Sequence, residues 1–105
     1  MIDDTRPVTI YATYQGDHDA RFDRDYYVTR HLPLVLEAWR PYGLDSAEAF
    51  FPATTESGTI AITELRFRSQ AAFDAAFAAP ETGALIDDIS AFTDLQAVRV
   101  RAIPT

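Results

Sequence analysis

A chain of 105 residues has the length of one domain and no room for a second independent core. Hydrophobic residues at 48% and charged residues at 24% give a globular composition rather than a disordered one. The 9 basic and 16 acidic residues leave a net charge of −7, which repels phosphate backbones and argues against nucleic acid as a partner.

Residue types exclude more. Every basic residue is Arg, so a Schiff-base lysine, a pyridoxal-phosphate anchor and a P-loop lysine are all ruled out. The absence of cysteine removes disulfides, thiolate chemistry and Cys-ligated zinc. Gly16, Gly43, Gly58 and Gly83 are too scattered for a phosphate or dinucleotide loop. No apolar run is long enough to span a membrane. The start, Met1-Ile2-Asp3-Asp4, is acidic where a secretory signal would be basic and then apolar. A cytoplasmic protein is expected.

The first element in chain order is a strand over residues 8–14, with Val8, Ile10 and Tyr14 on one face. A polar turn over 15–21 leads to a helix capped by Asp23, with Phe22 and Tyr27 spaced as a hydrophobic staple. The helix runs to Trp39 or Arg40, where Pro41 and Gly43 stop it. Pro33 lies inside it and predicts a bend or local break near Thr29. A weak strand over 44–52 and a loop over 54–58 precede the clearest strand, over 59–68. Ser69 caps a second helix carrying Phe73, Ala76 and Phe77, which Pro80 ends. A short helix over 84–92 and a last strand over 95–103, alternating Val98 and Val100 against Arg99 and Arg101, complete the chain. The order is βαββαβ, the ferredoxin-like α+β arrangement with a four-stranded antiparallel sheet.

Two helices on one side of such a sheet leave its other side bare. Strand one opposes Val8, Ile10 and Tyr14 to Thr9, Tyr11 and Thr13; the best strand opposes Ala61, Leu65 and Phe67 to Ile60 and Ile62. Apolar groups on both faces predict a homodimer packed sheet to sheet. The alternative is that Thr and Ala leave that side tolerant of water.

His31 carries most of the chemical information. Regular helical spacing aligns Tyr27, His31, Leu34 and Ala38, with Val28, Val35 and Trp39 flanking, so the imidazole points toward the sheet. Burial lowers a histidine's pKa and makes a neutral ring near pH 7 a general base. The competing reading is a core histidine bonded to a carbonyl or a tyrosine. Tyr11, Tyr14, Tyr26 and Tyr27 lie near His31 if the helix packs over strand one, where a phenol can steady an oxyanion or merely fill space. Glu64 interrupts the apolar pattern beside Arg66 and Arg68, which favours a cross-strand or cross-dimer ion pair over a proton donor. His18, between Asp17 and Asp19, fits no metal-ligand spacing and reads as a solvated turn.

The run Phe22-Asp23-Arg24-Asp25-Tyr26-Tyr27-Val28-Thr29-Arg30-His31-Leu32-Pro33-Leu34 resembles the EthD family, whose first helix carries paired aromatics ahead of a His-x-Pro-Leu segment. Ile62 to Ser69 with Ala72-Phe73, and Phe92-Thr93-Asp94, resemble its third strand, second helix and approach to the last strand. The resemblance implies a dimeric α+β barrel with a pocket between helices and sheet, and relatives that include cofactor-free monooxygenases, cyclases, isomerases and dehydratases or decarboxylases. It maps the family's histidine to His31, its helix aromatics to Tyr26 and Tyr27, and its strand acid to Glu64.

The expected protein is therefore a homodimer that binds a small apolar or oxygenated molecule, with no metal and no organic cofactor. His31 is the expected proton carrier, helped by Tyr27 and Tyr11. Tyr14, Tyr26, Leu34, Val35, Trp39 and Glu64 are the expected substrate contacts. A non-catalytic carrier of a catabolic intermediate and a cofactor-free monooxygenase are the alternatives.

Overall fold

A computed structural model describes residues 6–103; the acidic start read above, residues 1–4, lies outside them. Strand β1 (Val8–Gly16) is followed by one helical run. It is α-helical over Arg24–Tyr26 (α1), widens to a π turn over Tyr27–His31, and is α-helical again over Leu32–Trp39 (α2). A 3-10 turn over Arg40–Tyr42 ends at Gly43, whose φ of 110° is a conformation that L side chains rarely adopt. Strands β2 (Leu44–Phe50) and β3 (Gly58–Phe67) come next, then helices α3 (Gln70–Phe77) and α4 (Thr82–Asp88). A 3-10 turn over Ile89–Ala91 leads to β4 (Ala97–Ala102). All pairings are antiparallel in the order β2-β3-β1-β4, the ferredoxin-like topology expected.

The caps formed where the sequence placed them. Asp23 accepts from the Tyr26 amide at 3.0 Å and Ser69 from the Ala72 amide at 3.0 Å. The Phe22 and Tyr27 rings meet at 5.2 Å as the staple requires. Strands β2, β3 and β4 are shorter or shifted by a residue or two against expectation, the usual fraying at element ends.

The break near Thr29 takes a specific form. The Leu32 amide reaches back five residues to the Tyr27 carbonyl, and the Thr29 hydroxyl donates to the Asp25 carbonyl at 2.7 Å. Pro33 supplies the cause: it has no N–H for the Thr29 carbonyl, and in a regular helix its ring would press on that carbonyl. One wide turn relieves the clash and delays the register by one position. The buried line becomes Tyr27, His31, Leu32, Val35 and Trp39, whereas Leu34 is 43% exposed. Regular spacing misplaced Leu34 for this reason.

The helices cover the sheet face that carries Val8, Ile10, Leu65 and Phe67, where Val35, Trp39, Ala72, Ala76 and Leu85 pack against them. A second cluster gathers Tyr14, Tyr27, Leu32, Ala61 and Phe92 at the other end of the same layer. The opposite face carries Thr9, Tyr11 and Thr13 on β1, level with Val98 and Val100 on β4 and with Ile62 and Glu64 on β3. Val98 and Val100 point to that uncovered side at 55% and 54% exposure, while the arginines that alternate with them lie on the helix side. Among the described residues no helix is long and apolar enough to cross a membrane.

Candidate functional site

Between the two apolar clusters the layer encloses a cavity of about 60 Å³, walled by His31, Tyr27, Tyr14, Val35, Trp39 and Thr63 among others. Its outer end is formed by Ile86, Ile89, Ala97 and Arg99, and the same four residues line an open groove of about 560 Å³ between α4 and β4. The two spaces therefore adjoin along those four residues.

His31 is 5% exposed, at the end of the wide turn. Its ring stacks on Tyr27 at 5.4 Å and meets Phe92, which is fully buried, at 4.7 Å. Nδ1 lies 2.9 Å from a carboxylate oxygen of Asp88 at the end of α4. The other oxygen of Asp88 accepts from the Tyr26 hydroxyl at 2.7 Å. Desolvation would raise the Asp88 pKa, but the hydrogen bonds from His31 and Tyr26 outweigh it and hold the carboxyl below its ordinary value. An ionised carboxylate only accepts, so Nδ1 carries the proton of the neutral ring and Nε2 keeps its lone pair. Burial pushes the His31 pKa below 6.5, with Asp88 pulling the other way. The ring is therefore neutral at pH 7, oriented, and part of the cavity wall.

Two phenols share the cavity. The Tyr27 hydroxyl is hydrogen-bonded to Thr63, and burial raises its pKa. Burial also raises Tyr14, whose ring meets Tyr27 edge-on at 5.9 Å. Both stay protonated at neutral pH and can donate to an oxygen. Trp39 is anchored by its indole N–H to Thr82 at 2.9 Å, and Thr82 in turn donates to the Ala76 carbonyl at 2.6 Å.

The structure gathers Tyr14, Tyr27, His31, Val35 and Trp39 around one space. Tyr26 stands behind it and touches Asp88. Tyr11 does not join them, which corrects its expected place near His31, and Glu64 lies apart from the cavity as well. The alternation of β1 turns Tyr11 to the uncovered face, where its hydroxyl donates to Glu64 at 2.8 Å. Arg66 donates to the same carboxylate at 2.9 Å, and the bonds from Tyr11 and Arg66 hold Glu64 below the usual range. Leu34 faces a separate shallow groove with Glu37 and Pro41.

Asp88, Thr63 and Thr82 escaped the sequence reading. Asp88 follows Asp87 and reads as half of a solvated acidic pair. A signal was present, since Leu85, Asp88, Ile89 and Phe92 stand at i, i+3, i+4 and i+7 on one helical line. Thr63 has the same parity as Ala61 and Leu65, which already marks it as inward.

An antiparallel α+β sandwich with a histidine–carboxylate pair at the edge of an internal cavity is the class of protein that these features define. The EthD domain model matches residues 16–96, and the chain belongs to that family. No curated protein matches it. An EthD-like protein from Ralstonia eutropha JMP134 is similar in structure, with a TM-score of 0.82, 20% identity and coverage of 93% of this chain and 91% of that one. An ethyl tert-butyl ether degradation family protein from Bacillus halodurans C-125 follows, with a TM-score of 0.67, 18% identity and coverage of 92% and 99%. A variant of SnoaB, a cofactor-independent oxygenase from Streptomyces nogalater, has a TM-score of 0.63, 13% identity and coverage of 94% and 95%. At these identities the likeness is one of fold.

The depressed His31 pKa sets a sign for the pH dependence of stability. The unfolded chain takes up the proton near 6.5 and the folded chain only at lower pH, so protonation favours unfolding in that interval. The urea midpoint should be flat in this respect well above pH 6.5 and fall as the pH drops through it. In His31→Gln that part of the slope should disappear; an unchanged slope would show that the buried imidazole is not its source.

Proposed function

We propose that the protein binds a small, largely apolar, oxygenated molecule between its helices and sheet and moves a proton on it through Nε2 of His31. The single observation that carries this reading is the buried ring whose Nδ1 is engaged by Asp88 while the ring itself walls a cavity. A neutral imidazole takes a proton from a C–H or O–H group of the ligand and becomes an imidazolium. The Asp88 carboxylate, 2.9 Å away, stabilises that cation, and the proton returns to another atom of the same molecule. The Tyr27 or Tyr14 hydroxyl donates to the ligand oxygen on which charge develops.

Size constrains the ligand. The inner space of about 60 Å³ is well below the roughly 300–1,000 Å³ of typical small-molecule sites. Only the reacting end enters it, and the rest of the molecule lies in the outer groove. The reactions that fit are isomerisation, dehydration, cyclisation and decarboxylation, each without a cofactor. Deprotonation by the same base would also begin a cofactor-free oxygenation, the chemistry of the similarly folded oxygenase.

The uncovered sheet face supports a homodimer. Val98, Val100 and Phe50 are each about half exposed, at 55%, 54% and 48%, and a second copy laid sheet to sheet would bury them. The Tyr11, Glu64 and Arg66 group lies on this face and would sit in the interface.

Replacing the base tests the chemistry. His31→Ala should keep its circular dichroism spectrum and assembly state and lose turnover by about 10²–10⁴-fold. A wild-type protein that binds its ligand without converting it, and a variant that only binds more weakly, would mark a carrier instead. Oxygen uptake that accompanies turnover would assign the oxygenase reaction. Assembly is tested by sedimentation: the wild type should run with the mass of two chains, and Val100→Asp should run as one. A wild type that stays a single chain at micromolar concentration would contradict the dimer.

A further inference from the structure

Arg99, like Arg24 over Phe51, has an aromatic ring rather than a carboxylate as its defined partner, and unlike Arg24 it lines the cavity. Arg21 pairs with Asp94, Arg66 with Glu64, and Arg101 donates to the Gln70 side chain. Arg99 has no carboxylate partner and no hydrogen bond among the described residues, in a chain with 16 acidic residues against 9 basic ones. Its guanidinium lies over the Phe77 ring, 4.6 Å from the centroid.

Its position explains why that matters. On β4 it stands opposite Ala12 of β1, on the helix-covered side, and it lines both the inner cavity and the outer groove. It marks the point where the two spaces meet. The charge reaches inward as well, since it opposes the effect of burial on the Tyr14 hydroxyl. No carboxylate lines the inner cavity among the described residues, and the one in the outer groove, Asp94, is held by Arg21. With His31 neutral, Arg99 is the formal charge of the cavity wall.

We propose that Arg99 is an anion receptor at the cavity mouth, and that the ligand is a small apolar molecule bearing a carboxylate, held on the guanidinium with its apolar body directed toward His31. The inference rests on the reading of the cavity as a ligand site and narrows its substrate class. A guanidinium matches a carboxylate with two parallel N–H donors, and such charge-assisted bonds are the strong ones. Without Arg99 the chain holds 8 arginines against 16 acidic residues, a net charge of −8 that repels an anion from most of the remaining surface. The groove outside the mouth leaves room for the carboxylate to lie beside Arg99 while the apolar walls take the remainder.

Benzoate and benzamide test this directly, because they share a shape and differ in charge. Trp39 is the only tryptophan and walls the cavity, so its indole N–H gives a single assignable NMR signal. Benzoate should shift that signal saturably, with a Kd about tenfold or more below that of benzamide, and added salt should weaken benzoate alone. Arg99→Gln should reduce benzoate to the affinity of benzamide and leave benzamide unchanged, whereas Arg99→Lys should keep part of the preference. Equal binding of the two probes by the wild type, or a benzoate preference that survives Arg99→Gln, would overturn the anion receptor and leave the ligand site standing. Absence of saturable shifts with either probe would overturn both.

Discussion

One missing amide hydrogen governs the geometry of the helical layer. Pro33 cannot satisfy the Thr29 carbonyl, and the helix answers by widening one turn over Tyr27–His31. Everything downstream turns by about one residue. Val35 and Trp39 take the positions over the sheet that Leu34 and Ala38 would hold in a regular helix, and Leu32 is buried as well. Tyr27 and His31, at the two ends of the wide turn, both remain buried. The chain thereby keeps two polar rings and an indole on one side of the same helical run, with a void among them rather than solid packing.

Such a void needs polar groups that are individually satisfied, because an unpaired buried donor or acceptor costs roughly 1–3 kcal/mol. Each finds a partner from a distant part of the chain. His31 and Tyr26 share Asp88 from α4, Tyr27 meets Thr63 from β3, and Trp39 meets Thr82. The Asp23 amide also donates to the Phe92 carbonyl at 2.8 Å, which ties the helix start to the segment that follows α4. These bonds cross between the two halves of the βαββαβ chain. The same contacts that hold the halves together fix the tautomer of the imidazole and keep its basic nitrogen available. Fold and the proposed chemistry depend on one set of bonds.

Much of this was legible in the sequence, and the misses have physical causes. Alternation in β1 and β3, the Asp23 and Ser69 caps and the Phe22–Tyr27 staple are local signals, and local signals carried the element order and the topology. The inward aim of His31 followed from helical spacing that survives one wide turn. Leu34 did not survive it, because spacing rules assume an unbroken period. Tyr11 shows a different limit: its proximity to His31 was inferred from the strand, whereas side-chain parity placed it on the other face. Asp88 was hidden because its role depends on a partner 57 residues away, and its own neighbourhood, Asp87-Asp88, looks like surface. The helical line of Leu85, Asp88, Ile89 and Phe92 marks Asp88 as inward, but the identity of its distant partner leaves almost no trace in one sequence.

The most direct measurement is the tautomer of His31, read from two-bond proton–nitrogen correlations in uniformly ¹⁵N-labelled protein at pH 7. The geometry predicts a neutral ring with the proton on Nδ1, facing Asp88, and a bare Nε2. A ring protonated on Nε2 alone, or on both nitrogens at that pH, would remove the basic site on which the proposed chemistry stands.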